Sequence, residues 1–238
     1  MRKISLLSEA EFENRKVLGQ VVRAQQSKYY WSTDIQRQAH IETIKQRIPG
    51  QVVLEIGCST GGLAADLAPR AAEYHGIDVS PEAVRVAREK AIKNALFGIA
   101  DGHRLPFDNS TFDCVIVDSL LHHLDLGTIL KEVKRVLKPG GYLFFNEPLG
   151  TNPFISFYRS RTPSARTADE KPFDRDDLAL LDSIFQIVEM RYFGCFCLLS
   201  AFIRIKSLRR ILTTLDHQIS RTRARVFFWQ FAGYATKM

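Results

Sequence analysis

The chain has 238 residues, of which 45% are hydrophobic and 25% charged, and its formal net charge is +7. That length buries one α/β domain with appended segments but not two full domains, and the even composition excludes low-complexity, collagenous and disulfide-stapled chains. The opening Met1-Arg2-Lys3-Ile4-Ser5-Leu6-Leu7 has too short an apolar run for a signal peptide, and no stretch approaches the roughly 20 apolar residues of a membrane span, so a cytoplasmic location is expected. Cys58, Cys114, Cys195 and Cys197 are expected as buried thiols. Cys195-Phe196-Cys197 lacks the second pair or nearby histidine of a zinc site, so no metal is expected.

In chain order, residues 8–48 read as helical, with a break near Tyr29-Tyr30-Trp31 where Ser32 or Asp34 caps a second helix. Pro49-Gly50 ends that stretch. Strand and helix then alternate: a strand over 51–56, a glycine-rich turn, a helix over 61–67, and a strand over 73–78. Ser80 caps the next helix with Pro81 at its first position. Strands follow over 96–100 and 112–118, then a helix over 126–137, the stop Lys138-Pro139-Gly140-Gly141, and a strand over 142–146. Five strands alternating with helices imply a parallel sheet covered on both faces.

Beyond Glu147 the rhythm changes. Residues 148–173 form a long connection, Asp174 caps a helix, and 185–193 read as a sixth strand. An amphipathic helix is expected over 198–215 and a last strand over 226–236. Residues 148–173 and 195–224 are expected to build a substrate pocket over the sheet. Between Ile203 and Arg225 stand Arg204, Lys206, Arg209, Arg210, Arg221, Arg223 and Arg225 against Asp216 alone. Such a stretch is either a solvated helix face or a patch for anionic lipid, an acidic substrate or nucleic acid.

The chemistry-bearing segment is Val53-Leu54-Glu55-Ile56-Gly57-Cys58-Ser59-Thr60-Gly61-Gly62. A strand that runs into glycines and a helix lets a ligand approach bare backbone. The spacing is Gly57-x-x-x-Gly61, not the G-x-G-x-x-G that cradles a dinucleotide pyrophosphate. Glu55 just before it suits a ligand with an ammonium group. Asp78 ends the second strand, where an acid can accept both ribose hydroxyls, and Asp101, in Ala100-Asp101-Gly102, ends the third, where it can take an adenine amino group.

With these residues in order the chain resembles the class I S-adenosylmethionine (SAM)-dependent methyltransferase family. Glu55-x-Gly57-x-x-x-Gly61 resembles its first motif and Gly76-Ile77-Asp78-Val79-Ser80 its ribose segment. Asp101-Gly102, with Leu105-Pro106-Phe107-Asp108 and Phe112-Asp113, resembles its adenine side. Leu121-His122-His123-Leu124 and Arg135-Val136-Leu137-Lys138-Pro139-Gly140-Gly141 complete the pattern over residues 50–147. The resemblance implies a Rossmann-like, seven-stranded, mostly parallel sheet with helices on both faces. Its parts are a helical lid (1–48), a SAM-binding core (49–147), and a cap with the closing antiparallel strands (148–238). It places Gly57, Cys58 and Ser59 along the methionine and ribose of SAM, Asp118 and Ser119 on the methionine side, and Tyr30 in a lid. Ser59 departs from the family, which commonly has glycine there.

His122 and His123 follow the fourth strand, where the methyl should point, and an imidazole there either takes a proton from the acceptor or shapes the pocket. Glu147 is expected to orient an acceptor hydroxyl or amine, or to hold a neighbouring loop. The aromatic residues Phe193, Phe196, Phe202, Phe227, Phe228, Trp229 and Phe231 favour a bulky, partly apolar small-molecule acceptor. The alternatives are a lipid-linked acceptor met at a membrane surface, and a non-catalytic SAM-binding scaffold. Nucleic acid is disfavoured, because Asp118-Ser119-Leu120-Leu121 stands where an Asn-Pro-Pro-aromatic segment would. The N-terminal helices pack on their own core or on a second subunit of a homo-oligomer.

Overall fold

Short runs of branched and aromatic residues make the strands, and their period-two alternation sends successive side chains to opposite faces. In Val52–Ile56 (β1), Leu54 and Ile56 point to one face, Val53 and Glu55 to the other. In Phe112–Asp118 (β4), Val115 and Val117 share the first face, Cys114 and Ile116 the second. A sheet apolar on both faces must be covered on both.

The computed structural model describes residues 10–11, 14–15, 17–19, 27–161, 170–201, 205–220 and 222–238. The remaining elements are Ser27–Lys45 (α1), Gly62–Leu67 (α2), Glu73–Asp78 (β2), Pro81–Glu89 (α3), Ala95–Ile99 (β3), Leu126–Val136 (α4) and Leu137–Pro148 (β5). Pro153–Arg161 (α5), Arg175–Ile184 (α6), Gln186–Phe193 (β6), Lys206–Ile219 (α7) and Gln230–Thr236 (β7) complete the chain. The seven strands lie in the order β3-β2-β1-β4-β5-β7-β6. Every pair from β3 to β5 is parallel, and β7 runs antiparallel to both β5 and β6. Ile41, Ile44 and Ile48 at the end of α1 and just beyond it cover one face with α2 and α3, while α4 and α6 cover the other. Each such aliphatic side chain contributes about 1.5–3 kcal/mol on leaving water.

Local chemistry explains most boundaries. Ser80 accepts from Ala83 N–H with Pro81 next to it, and Asp174 forms a capping box with Asp177. Arg135 donates to the carbonyls of Leu105 and Phe107 and pairs with Glu132, which itself accepts from Leu105 N–H, so α4 clamps the loop after β3.

Four expectations are corrected. No break falls at Tyr29–Asp34: α1 runs through it, with Ser32 and Thr33 buried against neighbours, so packing overrides the capping preference of Ser32 and Asp34. The helix expected over 198–215 is two pieces, a 3-10 turn Phe196–Ala201 and then α7. Asp216 of α7 is buried and accepts from the N–H groups of Gly194, Cys195, Phe196 and Cys197 at the start of the 3-10 turn. The lone acid of the basic stretch is therefore a backbone cap. The last strand starts at Gln230, after a 3-10 turn Arg223–Phe227. The connection over 148–173 contains α5. All four cysteines are free thiols, Cys195 half-buried and the others buried. Among the described residues no helix is long and apolar enough to cross a membrane.

Candidate cofactor and acceptor site

The order of the sheet reverses between β1 and β4, which opens a crevice at their carboxyl ends. β1 leaves into a turn whose backbone is left-handed at three residues: Gly57, Ser59 and Gly61 have φ of 77°, 46° and 72°. A Cβ at 57 would also stand 2.9 Å from a Leu120 methyl, which would have to shift. The N–H groups of Gly57 and Cys58 both donate to Ile77 O, at 2.8 and 3.0 Å, pinning the turn to the end of β2. The Cys58 thiol points into the core, where burial raises its pKa, so only the backbone of Cys58 faces the crevice turn. The departure at Ser59 now has a physical meaning: a side chain in the left-handed region costs roughly 1–2 kcal/mol that glycine would not incur.

Acids surround this turn. Glu55 is buried, and Tyr74 Oη donates to its Oε2 at 2.9 Å. Burial pushes its pKa from the usual 4.5 up to about 8, against the Tyr74 hydrogen bond, and the charges of Asp118 and Asp78 add to the rise. Glu55 therefore holds its proton at neutral pH. Asp78 accepts from Ser59 N–H at 2.8 Å and Ser80 N–H at 2.9 Å, bridging the turns after β1 and β2. Val79 is the half-buried residue between them. Asp101 accepts from the N–H and Nδ1 of His103, both at 2.9 Å, while Asp125 N–H donates to His103 Nε2 at 3.0 Å. That bonding assigns the His103 proton to Nδ1. Gly102 is a packing glycine, since a Cβ there would stand 3.2–3.4 Å from Ile129, Ile56 and Leu124.

On the other wall, Asp118 pairs with Arg37 Nη2 of α1 at 3.0 Å and accepts from Asn146 Nδ2 at 2.7 Å. Asn146 Oδ1 is buried without a partner. Ser119, at φ 58°, donates its N–H to Asn146 O. The 3-10 turn Leu121–His123 follows, with both imidazoles buried. Of the two expectations for Glu147, the structure shows the hold on a neighbouring loop. Glu147 is fully buried: Oε1 accepts from the N–H groups of Leu120 and Leu121 at 2.9 and 2.8 Å, and Oε2 from His122 Nδ1 at 2.6 Å. Its place is behind His122, as a positioning group.

The Tyr30 backbone lies in α1, and its side chain is outside the described part of the structure. Trp31 carries the Arg209 guanidinium of α7 over its ring at 4.4 Å, so the N-terminal helix and the C-terminal insertion are joined. Of the two segments expected to form a pocket, residues 195–224 contribute to a cavity of about 270 Å³ between α1, α7, β6 and β7. No described residue of 148–173 lines it. His40 on its wall is held neutral by burial, which lowers its pKa to about 4. Sequence reading missed Arg37, Tyr74, His103 and Asn146 as site residues. His103, two positions after Asp101, was the one with a local signal.

Residues 54–145 match a family model described as a methyltransferase domain. The chain is 33% identical over 107 residues to the sterol 4-C-methyltransferase of Caenorhabditis elegans, covering 42% of this chain and 32% of that protein. It is 35% identical over 112 residues to a fatty-acid O-methyltransferase of Mycolicibacterium smegmatis, covering 45% and 41%. The match spans well under half the length of these curated relatives. Among solved structures, the complex of the Haloferax volcanii Trm112 methyltransferase activator with a methyltransferase aligns with TM-score 0.66 at 17% identity, over 98% of this chain and 97% of that one. A geranyl diphosphate C-methyltransferase from Streptomyces coelicolor aligns with TM-score 0.63 at 13% identity, over 84% and 76%. The fold is therefore the Rossmann-like α/β fold of class I methyltransferases. Over β1–β5 the chain is similar to that methyltransferase domain.

Two outcomes follow from this geometry. Ser59→Gly should stabilise the unliganded protein by about 0.5–1 kcal/mol in urea unfolding, because it relieves the left-handed serine; a destabilised variant would contradict the strain. A buried Glu55 with raised pKa stabilises fully below its unfolded value and loses that contribution as pH rises through about 8. Glu55→Gln, fixed in the neutral shape, should thus gain about 2–3 kcal/mol on wild type between pH 6 and pH 8.5. An unchanged gap between the two proteins at both pH values would show that Glu55 is not buried as the acid.

Proposed function

We propose that the chain binds SAM in the crevice between β1 and β4 and transfers its methyl group to a small-molecule acceptor. The observation that carries this reading is the set of three acids at successive strand ends, Glu55, Asp78 and Asp101, around the left-handed turn from Gly57 to Gly61. Glu55 would meet the ammonium of SAM, giving up its proton as it does so. Asp78 would take the ribose hydroxyls, keeping the two backbone bonds that already aim it, and Asp101, turned by His103, the adenine amino group. Asp118, Ser119 and the backbone of Gly57–Ser59 would line the methionine, and α1 would act as part of a lid that excludes water from the sulfonium.

The methyl group leaves an already activated sulfur, so alignment does much of the work. An acceptor hydroxyl must also lose its proton, and His122 and His123 are the polar groups on the acceptor side. Glu147 acts through His122, fixing its ring and the proton on Nδ1. The relatives named for sterol and fatty-acid substrates support an acceptor with a bulky apolar body. A cytoplasmic site of action agrees with this reading.

Exposed Ile205, Ile211 and Leu215, with exposed Lys206 and Arg210 close by, support a second reading in which a lipid-linked acceptor is met at an anionic membrane surface. One assay addresses both. Methyl-labelled SAM is supplied with hydroxylated sterols, fatty acids and aromatic polyketides, each free or in anionic vesicles. Labelled product from free acceptors is expected, with Glu147→Gln lowering kcat about 10–100-fold at unchanged KM for SAM. Product formed from vesicles alone would favour the surface reading, and SAM binding with no product from any acceptor would favour a scaffold.

A further inference from the structure

Three side chains able to ligate an ion meet beside the carboxyl end of β4. These are His122, His123 and Glu170, whose ligand atoms all lie within 4.8 Å of one another. Both histidines are buried and the glutamate is half-buried. The chain brings them together from two directions, and backbone hydrogen bonds fix both approaches. Glu147 holds the histidine turn by accepting from Leu120 and Leu121 N–H. Glu170 arrives on the strand-like segment before α6, where Lys171 N–H donates to His122 O and Phe173 N–H to Pro148 O, each at 2.9 Å. The imidazoles of His122 and His123 are 4.1 Å apart between centroids and tilted by 42°, so they do not stack face to face.

The ring of His122 is already arranged as a ligand's would be. Its Nδ1 donates to the Glu147 carboxylate at 2.6 Å, which leaves Nε2 as the atom that can coordinate. A carboxylate behind an imidazole sets the tautomer of a metal-ligating histidine, fixes its orientation and raises its basicity. Metal bonds of about 2.0–2.2 Å place tetrahedral ligands ~3.5 Å apart, so a contraction of ~1 Å closes the present spread. The half-buried Glu170 can supply it by a change of rotamer. Two imidazoles and one carboxylate suit Zn²⁺, Fe²⁺, Mn²⁺ or Co²⁺ better than Mg²⁺ or Ca²⁺, which prefer oxygen shells. Three protein ligands also leave a coordination position open.

We propose that His122, His123 and Glu170 bind one divalent transition-metal ion that coordinates a hydroxyl of the methyl acceptor. The role toward the acceptor rests on the methyltransferase reading; the ion site itself does not. It gives the histidine pair its way of acting. The coordinated hydroxyl releases its proton to solvent, and its oxygen lone pair forms the bond to the methyl carbon. The carbon–sulfur bond breaks at the same time, and its electron pair stays on sulfur as S-adenosylhomocysteine. The acceptor class is then an oxygen nucleophile carried on an apolar body.

The test uses the full chain without a polyhistidine tag, stripped with EDTA and dialysed. Co²⁺ is titrated in and followed by visible absorption, Zn²⁺ by calorimetry, and S-adenosylhomocysteine binding is measured on the same samples. One-to-one saturation is expected, with Co²⁺ bands more intense than those of the aqueous ion. Glu170→Gln and His123→Asn should each weaken metal binding at least about tenfold while leaving S-adenosylhomocysteine binding within about twofold. A Co²⁺ spectrum that stays that of the aqueous ion, or a Glu170→Gln protein that binds as tightly as wild type, overturns the site. Metal binding without any S-adenosylhomocysteine binding would keep the ion site and remove its role toward a methyl acceptor.

Discussion

The reversal of strand order between β1 and β4 forces the connections from these neighbours apart, and the space they leave is where ligand chemistry has to occur. Chain leaving β1 must turn at once, which explains three left-handed residues within five positions. The same crevice gathers carboxylates that repel one another in poor solvent, and each is managed differently. Glu55 keeps its proton and the Tyr74 hydroxyl. Asp78 accepts from two backbone amides, and Asp118 pairs with Arg37 from α1. An ammonium group would meet these acids more favourably than a diphosphate would.

Much of the core was legible because its signals are local. Alternation in Val52–Ile56 and Phe112–Asp118, the cap at Ser80 and the glycine spacing 57–61 each lie within a few residues of what they determine. What escaped was decided far along the chain. Arg37 and Asp118 are 81 positions apart, Glu147 reaches His122 across 25, and Asp216 caps amides about 20 residues earlier. No periodicity carries such pairings. The unbroken α1 is the same lesson in reverse: Ser32 has the chemistry of a cap, yet the burial available to it within a longer helix decides its conformation. Of the two places open to Glu147 in the sequence, the fold shows the hold on a neighbouring loop, through two amides and an imidazole.

The two halves of the molecule carry different information. The methyltransferase match ends at residue 145, with β5, and the insertion between β6 and β7 lies beyond it. That insertion is tied to α1 by Arg209 on Trp31, and the Asp216 nest holds its 3-10 turn. The Arg37–Asp118 pair ties α1 to the carboxyl end of β4.

The central claim is a SAM site organised by the acids at the strand ends, and calorimetric titration with S-adenosyl-L-homocysteine tests it most directly. Folded, ligand-free wild type is compared with Asp78→Ala. Saturable one-site binding is expected, weakened about 100-fold or more in the variant, the cost of two lost charge-assisted hydrogen bonds. Folded wild type that binds neither S-adenosyl-L-homocysteine nor SAM would contradict the account and leave a methyltransferase fold without its cofactor.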